Sequence, residues 1–211
     1  MLSIQKSLRH YKLVPVVSLP SVDAALTLAE LLVQCNLPVI EVTFRTPSAL
    51  QAIAAINQRY PEMLVLAGTV LQETQAVHAH EAGAVGIVSP GFAPGLAAIC
   101  KQRRLPFFPG VCTPSEVQMA REEGLKILKF FPAEPAGGTK MINLFANVYQ
   151  DVTFMPTGGI SPANLAGYLS CKNILCCGGT WLCPEELMID GKWKKIERLI
   201  SEALEIIKNI N

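Results

Sequence analysis

The chain has 211 residues, half of them apolar and only 17% charged, with a formal net charge of +1. That length suits one domain or two small ones and can bury a substantial core. The balance excludes a disordered or heavily solvated chain. With no basic block, it also points away from nucleic acid and from an anionic membrane surface.

The amino-terminal stretch MLSIQKSLRHYKL interrupts its apolar residues with Lys6, Arg9 and Lys12, unlike the apolar core of a signal peptide. Beyond it, short Val- and Ile-rich runs alternate with longer amphipathic segments. Strands are expected at 14–18, 39–44, 64–69, 84–89, 106–110, 125–131, 152–157 and 173–177. Helix starts stand between them. Thr46-Pro47 and Ser161-Pro162 each place a hydroxyl before a proline, and Thr113-Pro114-Ser115-Glu116 adds a capping box. The last helix is expected over 193–208, with Ile196, Leu199, Ile200, Ala203 and Ile207 on one stripe. A long uncharged window, 82–100, holds four glycines and two prolines and reads as strand, loop and helix, not as a membrane span.

Eight strand-then-helix units in a single domain, 1–211, predict an α/β fold with a parallel sheet. Closure gives a (β/α)8 TIM barrel, close to that fold's lower size limit. An open doubly wound sheet is the alternative, disfavoured because no GxGxxG follows the first strand.

The seven cysteines are odd in number and irregularly spaced, with no CxxC, so buried reduced thiols in a cytoplasm are expected and not a disulfide framework. His78 and His80 stand two apart in an expected helix and diverge, so no metal site is expected.

A barrel's chemistry sits at the carboxyl ends of its strands, and side chains alternate across a strand. In the second strand Glu41 and Arg45 fall on the face opposite Ile40, Val42 and Phe44. In the third, Thr69 follows Ala67. In the sixth, Lys129 and Phe131 share a face opposite Leu128 and Phe130. Glu41, Arg45, Thr69 and Lys129 therefore converge on one mouth. A lysine at its unperturbed pKa of about 10.4 is neutral in roughly one molecule in two thousand at pH 7, and a dry pocket or neighbouring cation raises that fraction. A neutral Lys129 can attack a ketone and form an iminium, an electron sink for C–C cleavage. Glu41 is then the general acid/base, while Arg45 and Thr69 hold a substrate carboxylate. The bland alternative is a structural ion pair between Lys129 and Glu41.

Two glycine pairs, Gly158-Gly159 and Gly178-Gly179-Thr180, follow the last two strands, where barrels bind phosphate on backbone N–H groups. The turn Ser89-Pro90-Gly91 walls the mouth.

EVTFRT (41–46), AGTV (67–70), SPG (89–91), KFFPAE (129–134), PTGGIS (156–161) and CGGTW (177–181) fall in order along nearly the whole chain. Together they resemble the 2-keto-3-deoxy-6-phosphogluconate aldolases, which often also act on 4-hydroxy-2-oxoglutarate. The resemblance implies a cytoplasmic class I aldolase of carbohydrate metabolism, with no metal or other cofactor, on a homotrimeric barrel. It puts the Schiff-base lysine on Lys129 and the acid/base on Glu41. Pyruvate-carboxylate contacts fall on Arg45 and Thr69, pocket-shaping residues on Pro90 and Phe131, and phosphate contacts on Gly158, Gly159 and Thr180. Serine is the commoner residue at the Thr180 position. A 2-dehydro-3-deoxy-6-phosphogalactonate aldolase, a non-covalent phosphosugar isomerase and a phosphosugar-binding module remain open alternatives.

Overall fold

A computed structural model describes residues 4–210; residues 1–3 and 211, part of the expected single domain, lie outside the described residues. A first helix, α1 (Ile4–Tyr11), leads into strand β1 (Leu13–Val17), and helix and strand then alternate through α2 (Val22–Gln34), β2 (Val39–Thr43), α3 (Ala49–Arg59), β3 (Leu64–Gly68), α4 (Glu73–Glu81), β4 (Gly86–Val88) and α5 (Pro94–Gln102). Two short strands follow, β5 (Phe107–Phe108) and β6 (Gly110–Val111). Then come α6 (Pro114–Glu122), β7 (Ile127–Phe130), α7 (Gly138–Val148), β8 (Thr153–Pro156), α8 (Leu165–Leu169), β9 (Cys177–Gly179), α9 (Glu185–Ile189) and α10 (Trp193–Lys208).

Every strand pair among the described residues is parallel. They form a curled six-stranded sheet in the order β5-β4-β3-β2-β1-β9 and a three-stranded sheet, β6-β7-β8. The sheets meet at two seams. At one, the expected fifth strand is split by Pro109: Phe107 and Phe108 pair with β4, Gly110 and Val111 pair with β7, and the Pro109 carbonyl accepts from the Lys129 N–H at 2.8 Å. Proline has no N–H to donate, so the ladder changes partner where it stands. At the other seam, single bridges link Phe154 to Ile174 and Thr157 to Gly178.

Both faces of the strands are covered, which is why β1 and β2 are buried end to end. The outward residues Ile40, Val42, Val65 and Ala67 join the helices in one apolar core. Ile4 of α1 lies against the start of β4. The capping box on α6 forms as the sequence predicts: the Glu116 N–H donates to the Thr113 hydroxyl, and the Glu116 carboxylate accepts from the Thr113 N–H at 2.8 Å. The last helix spans the expected residues, with Ile196, Ile200, Ala203 and Ile207 buried.

Three expectations need correction. The helices announced by Thr46-Pro47 and Ser161-Pro162 start later, after Ser48 and Asn164. Ser48 donates instead to the Leu19 carbonyl at 2.7 Å, a contact between distant segments. The last strand is Cys177–Gly179, not 173–177, because the glycines pair with β1 while the apolar run before them makes only an isolated bridge to β8. Thr69 and Phe131 lie just past the ends of β3 and β7, so strict alternation does not place them.

Candidate active site

Glu41 and Lys129 meet inside the curled sheet. Register aligns Val16 with Glu41 and Glu41 with Leu66, and it aligns Gly110 and Met155 with Lys129. The Lys129 Nζ stands 3.1 Å from Glu41 Oε1, with side-chain exposures of 6% and 2%. Two charged groups so far from water each need the other, since desolvation of either alone costs several kcal/mol.

The space around the pair is made by backbone. A Cβ added at Gly68 would lie 2.3 Å from Glu41 Oε1, so the carboxylate occupies the volume a side chain would fill. A Cβ at Gly110 would lie 1.9 Å from the Pro90 carbonyl oxygen, so the Ser89-Pro90-Gly91 turn rests directly on the strand beside Lys129. The buried Ser89 hydroxyl closes that turn by donating to the Gly91 carbonyl at 2.6 Å. The Phe131 ring covers the amine from 5.4 Å, a cation–π contact when Lys129 is charged and an apolar wall when it is not.

Further along the strands stand several threonines. Thr43, one inward step beyond Glu41, is fully buried; it donates to the Val17 carbonyl and lies 3.0 Å from the Ser18 hydroxyl. Thr157 is buried as well. Thr69, after β3, has φ +55°, a left-handed conformation that costs a β-branched residue on the order of 1–3 kcal/mol and that gathers at working sites.

The loops after β8 and β9 run side by side because Thr157 bridges Gly178. Gly158 and Gly159 have φ of +97° and +82°. A Cβ at Gly158 would meet the Phe131 ring at 3.3 Å, which places this loop beside the aromatic wall of the amine. Thr180 is exposed beyond it, and Arg45 is exposed in the turn after β2.

The structure thus brings Glu41, Lys129 and Phe131 into one cluster, sets Pro90 and Gly158 against it, and leaves Arg45 and Thr180 on the rim. Gly68, Gly110 and the Thr43–Ser18 pair are missed by sequence reasoning. AGTV contains Gly68, but nothing local says that a carboxylate from another strand fills its missing side chain. Among the described residues, no cluster of three or more His, Cys, Asp or Glu is placed to hold a metal ion. All seven cysteines are free. Burial pushes their thiols up, to about 11 for Cys100, and at Cys176 the Glu41 charge adds to it.

A buried amine in hydrogen-bond contact with a carboxylate, at the inner face of a parallel α/β sheet, defines a protein equipped for covalent chemistry on a carbonyl compound. Comparison with known proteins narrows that class. The chain matches the profile of the KDPG and KHG aldolase family over residues 4–199 and belongs to that family. It is 40% identical over 205 residues to a 2-dehydro-3-deoxy-phosphogluconate aldolase of Haemophilus influenzae, covering 97% of each chain. Among solved structures, it matches the KDPG aldolase of Legionella pneumophila, which was captured with pyruvate as a covalent carbinolamine. The TM-score is 0.91 at 35% identity, over 94% of this chain and 97% of the other. It also matches the 2-keto-3-deoxy-6-phosphogluconate aldolase of Zymomonas mobilis with 3-phosphoglycerate, with TM-score 0.88, 38% identity and coverage of 96% and 95%.

Proposed function

We propose that this chain is a class I aldolase that reversibly cleaves 2-keto-3-deoxy-6-phosphogluconate to pyruvate and glyceraldehyde 3-phosphate, and 4-hydroxy-2-oxoglutarate to pyruvate and glyoxylate. The observation that carries this reading is the 3.1 Å contact between the Lys129 amine and the Glu41 carboxylate in a site closed to water. Transfer of one proton along that bond converts a buried ion pair into a neutral amine and a neutral acid. Both are what the first step needs, and no net charge is buried.

Neutral Lys129 attacks the C2 ketone to give a carbinolamine. Protonated Glu41 gives its proton to the departing hydroxyl, which leaves as water, and an iminium remains. The Glu41 carboxylate then takes the C4 hydroxyl proton. The C3–C4 bond breaks, the aldehyde departs, and the electron pair flows into the iminium to give an enamine. Protonation at C3 and addition of water release pyruvate and regenerate the amine. Arg45 on the rim and Thr69 in its left-handed turn hold the substrate carboxylate. Phe131 and Pro90 wall the reacting carbons. The N–H groups of the Gly158 and Gly159 loop, with the Thr180 hydroxyl, receive the phosphate.

Two seams support counting residues 107–111 as one strand and closing both sheets into a single-domain (β/α)8 barrel. Exposed Met119, Leu144 and Val148 on α6 and α7 fit a surface covered by other copies, consistent with a homotrimer. Buried unpaired thiols fit a cytoplasmic setting.

Pyruvate with borohydride tests the chemistry. The wild type should gain one reduced pyruvyl group on Lys129, seen by peptide mass, and Lys129→Ala should gain none. Turnover without an adduct would replace this reading with non-covalent chemistry.

A further inference from the structure

The loop at Gly158 and Gly159 is gripped from both sides by residues that the reaction itself does not use. On one side, the Ala133 and Glu134 N–H groups donate to the carbonyls of Thr157 and Gly158 at 2.9 and 3.0 Å. A Cβ at Gly159 would lie 2.6 Å from both Cβ and Cγ of Glu134, so the loop backbone rests on the Glu134 stem. On the other side, the Asn164 amide donates to the Gly159 carbonyl at 3.0 Å and accepts from the Ser161 N–H at 2.8 Å. Tyr168, four residues on in α8, closes the circuit. Its ring is fully buried and its hydroxyl donates to Glu134 Oε1. A Cβ at Gly138 would lie 3.1 Å from that oxygen and 3.3 Å from the Tyr168 hydroxyl, so the start of α7 presses on the same bond.

A buried hydroxyl needs some partner, and any acceptor would satisfy it. A carboxylate is a poor choice beside a loop that takes an anion, because its charge repels the ligand. Bonded to Tyr168, Oε1 is held on the Gly138 side, and the charge cannot swing over the loop. Burial, then the bond and charge of Glu134, push the Tyr168 phenol up, so it stays a donor through the working range.

We propose that the Tyr168–Glu134 hydrogen bond is a positioning device for the Gly158–Gly159 loop, setting affinity for the phosphate end of the substrate without touching the reacting carbons. This rests on the reading of that loop as the phosphate site. The test compares wild type, Tyr168→Phe and Glu134→Gln. It measures inhibition by inorganic phosphate and the kinetics of both substrates. Phe keeps the buried ring and removes the bond; Gln keeps the acceptor oxygen.

Tyr168→Phe should raise the phosphate inhibition constant and the KM for the phosphorylated substrate about tenfold, as loss of one charge-assisted bond implies. Its kcat, and its KM for 4-hydroxy-2-oxoglutarate, should stay within about twofold of wild type, and Glu134→Gln, which keeps the acceptor and removes the repelling charge, should bind phosphate at least as tightly as wild type. Should the Phe variant fold poorly, Glu134→Asp, which keeps the charge but draws the carboxylate back from the Tyr168 hydroxyl, must show the same split. Unchanged phosphate affinity in the Phe or Asp variant overturns the proposal, and so does an equal loss on both substrates. A wild type indifferent to phosphate would instead remove the phosphate loop itself.

Discussion

Gly68→Ala isolates the role of the buried carboxylate without altering any ionisable group. The new Cβ would lie 2.3 Å from Glu41 Oε1, 2.5 Å from Cγ and 2.7 Å from Cδ, where ordinary contact begins at 3.4 Å. The carboxylate must therefore retreat by about 1 Å (3.4 less 2.3). Its bond to Lys129 is already 3.1 Å long, and a contact beyond about 3.5 Å is no longer a hydrogen bond. The methyl group thus displaces the proposed acid/base from the position in which it meets the amine. Overpacking of this kind costs about 1–3 kcal/mol of stability, or about 2–4 °C in Tm for each kcal/mol at this size. Loss of a positioned acid/base lowers kcat roughly 10²- to 10⁴-fold, equal to about 3–5 kcal/mol in the barrier. Steady-state turnover, the borohydride adduct rate and thermal melting together give the answer. In a Glu41→Gln background the same methyl should cost little further kcat, because both changes act through one group. A folded Gly68→Ala enzyme with kcat within about threefold of wild type would refute the claim that the carboxylate must sit where it does.

Lys129→Met should abolish the pyruvate adduct and cost about 3–5 kcal/mol in chemical denaturation by stranding a buried carboxylate, and adding Glu41→Leu should recover most of that stability but no activity. Thr69→Gly should stabilise by about 1 kcal/mol through release of left-handed strain while lowering kcat/KM, read by melting and kinetics. At pH 8 a thiol reagent should react quickly with at most Cys35, Cys112 and Cys171. Burial holds Cys100 near 11 and keeps Cys176, Cys177 and Cys183 protonated, and only denaturant should release all seven thiols. Partial burial raises the Glu116 carboxyl, but the hydrogen bonds from Cys112 and Thr113 outweigh it and leave the group below its ordinary value. A lowered carboxyl stabilises the fold above its unfolded pKa, near 4.5, and loses that contribution as pH falls through the lower folded value. Glu116→Gln should therefore cost about 0.5–1 kcal/mol at pH 7, a deficit that shrinks below about pH 4 in urea titrations.

How far the sequence reveals this site depends on how far alternation runs. Within a regular strand, parity alone sets Glu41 opposite Ile40 and Val42 and sets Lys129 opposite Leu128 and Phe130, and the fold places both polar groups inward as parity requires. The capping box on α6 is equally legible, because its partners are three residues apart. What escapes is fixed by partners distant in the chain. Gly178 and Gly179 read as a loop that follows the last strand, yet they form strand β9. A side chain on Gly178 would strike Thr157, which comes from the neighbouring loop 21 residues back, and one on Gly179 would strike the Trp181 ring. The hydroxyl before Pro47 reads as a helix cap, yet the helix waits for Ser48, whose own hydroxyl is committed to Leu19 across the sheet. Arg45, Thr69, Phe131 and Thr180 all stand one or two residues past a strand end, where periodicity stops. On the proposed reading substrate enters at those ends, so the groups that would meet it belong to the part of the chain whose conformation is least dictated by its neighbours in sequence. The amine proposed to react, Lys129, is the exception. It lies on a regular strand with a buried ion-pair partner, because an attacking nitrogen needs a fixed position and a dry wall more than it needs reach.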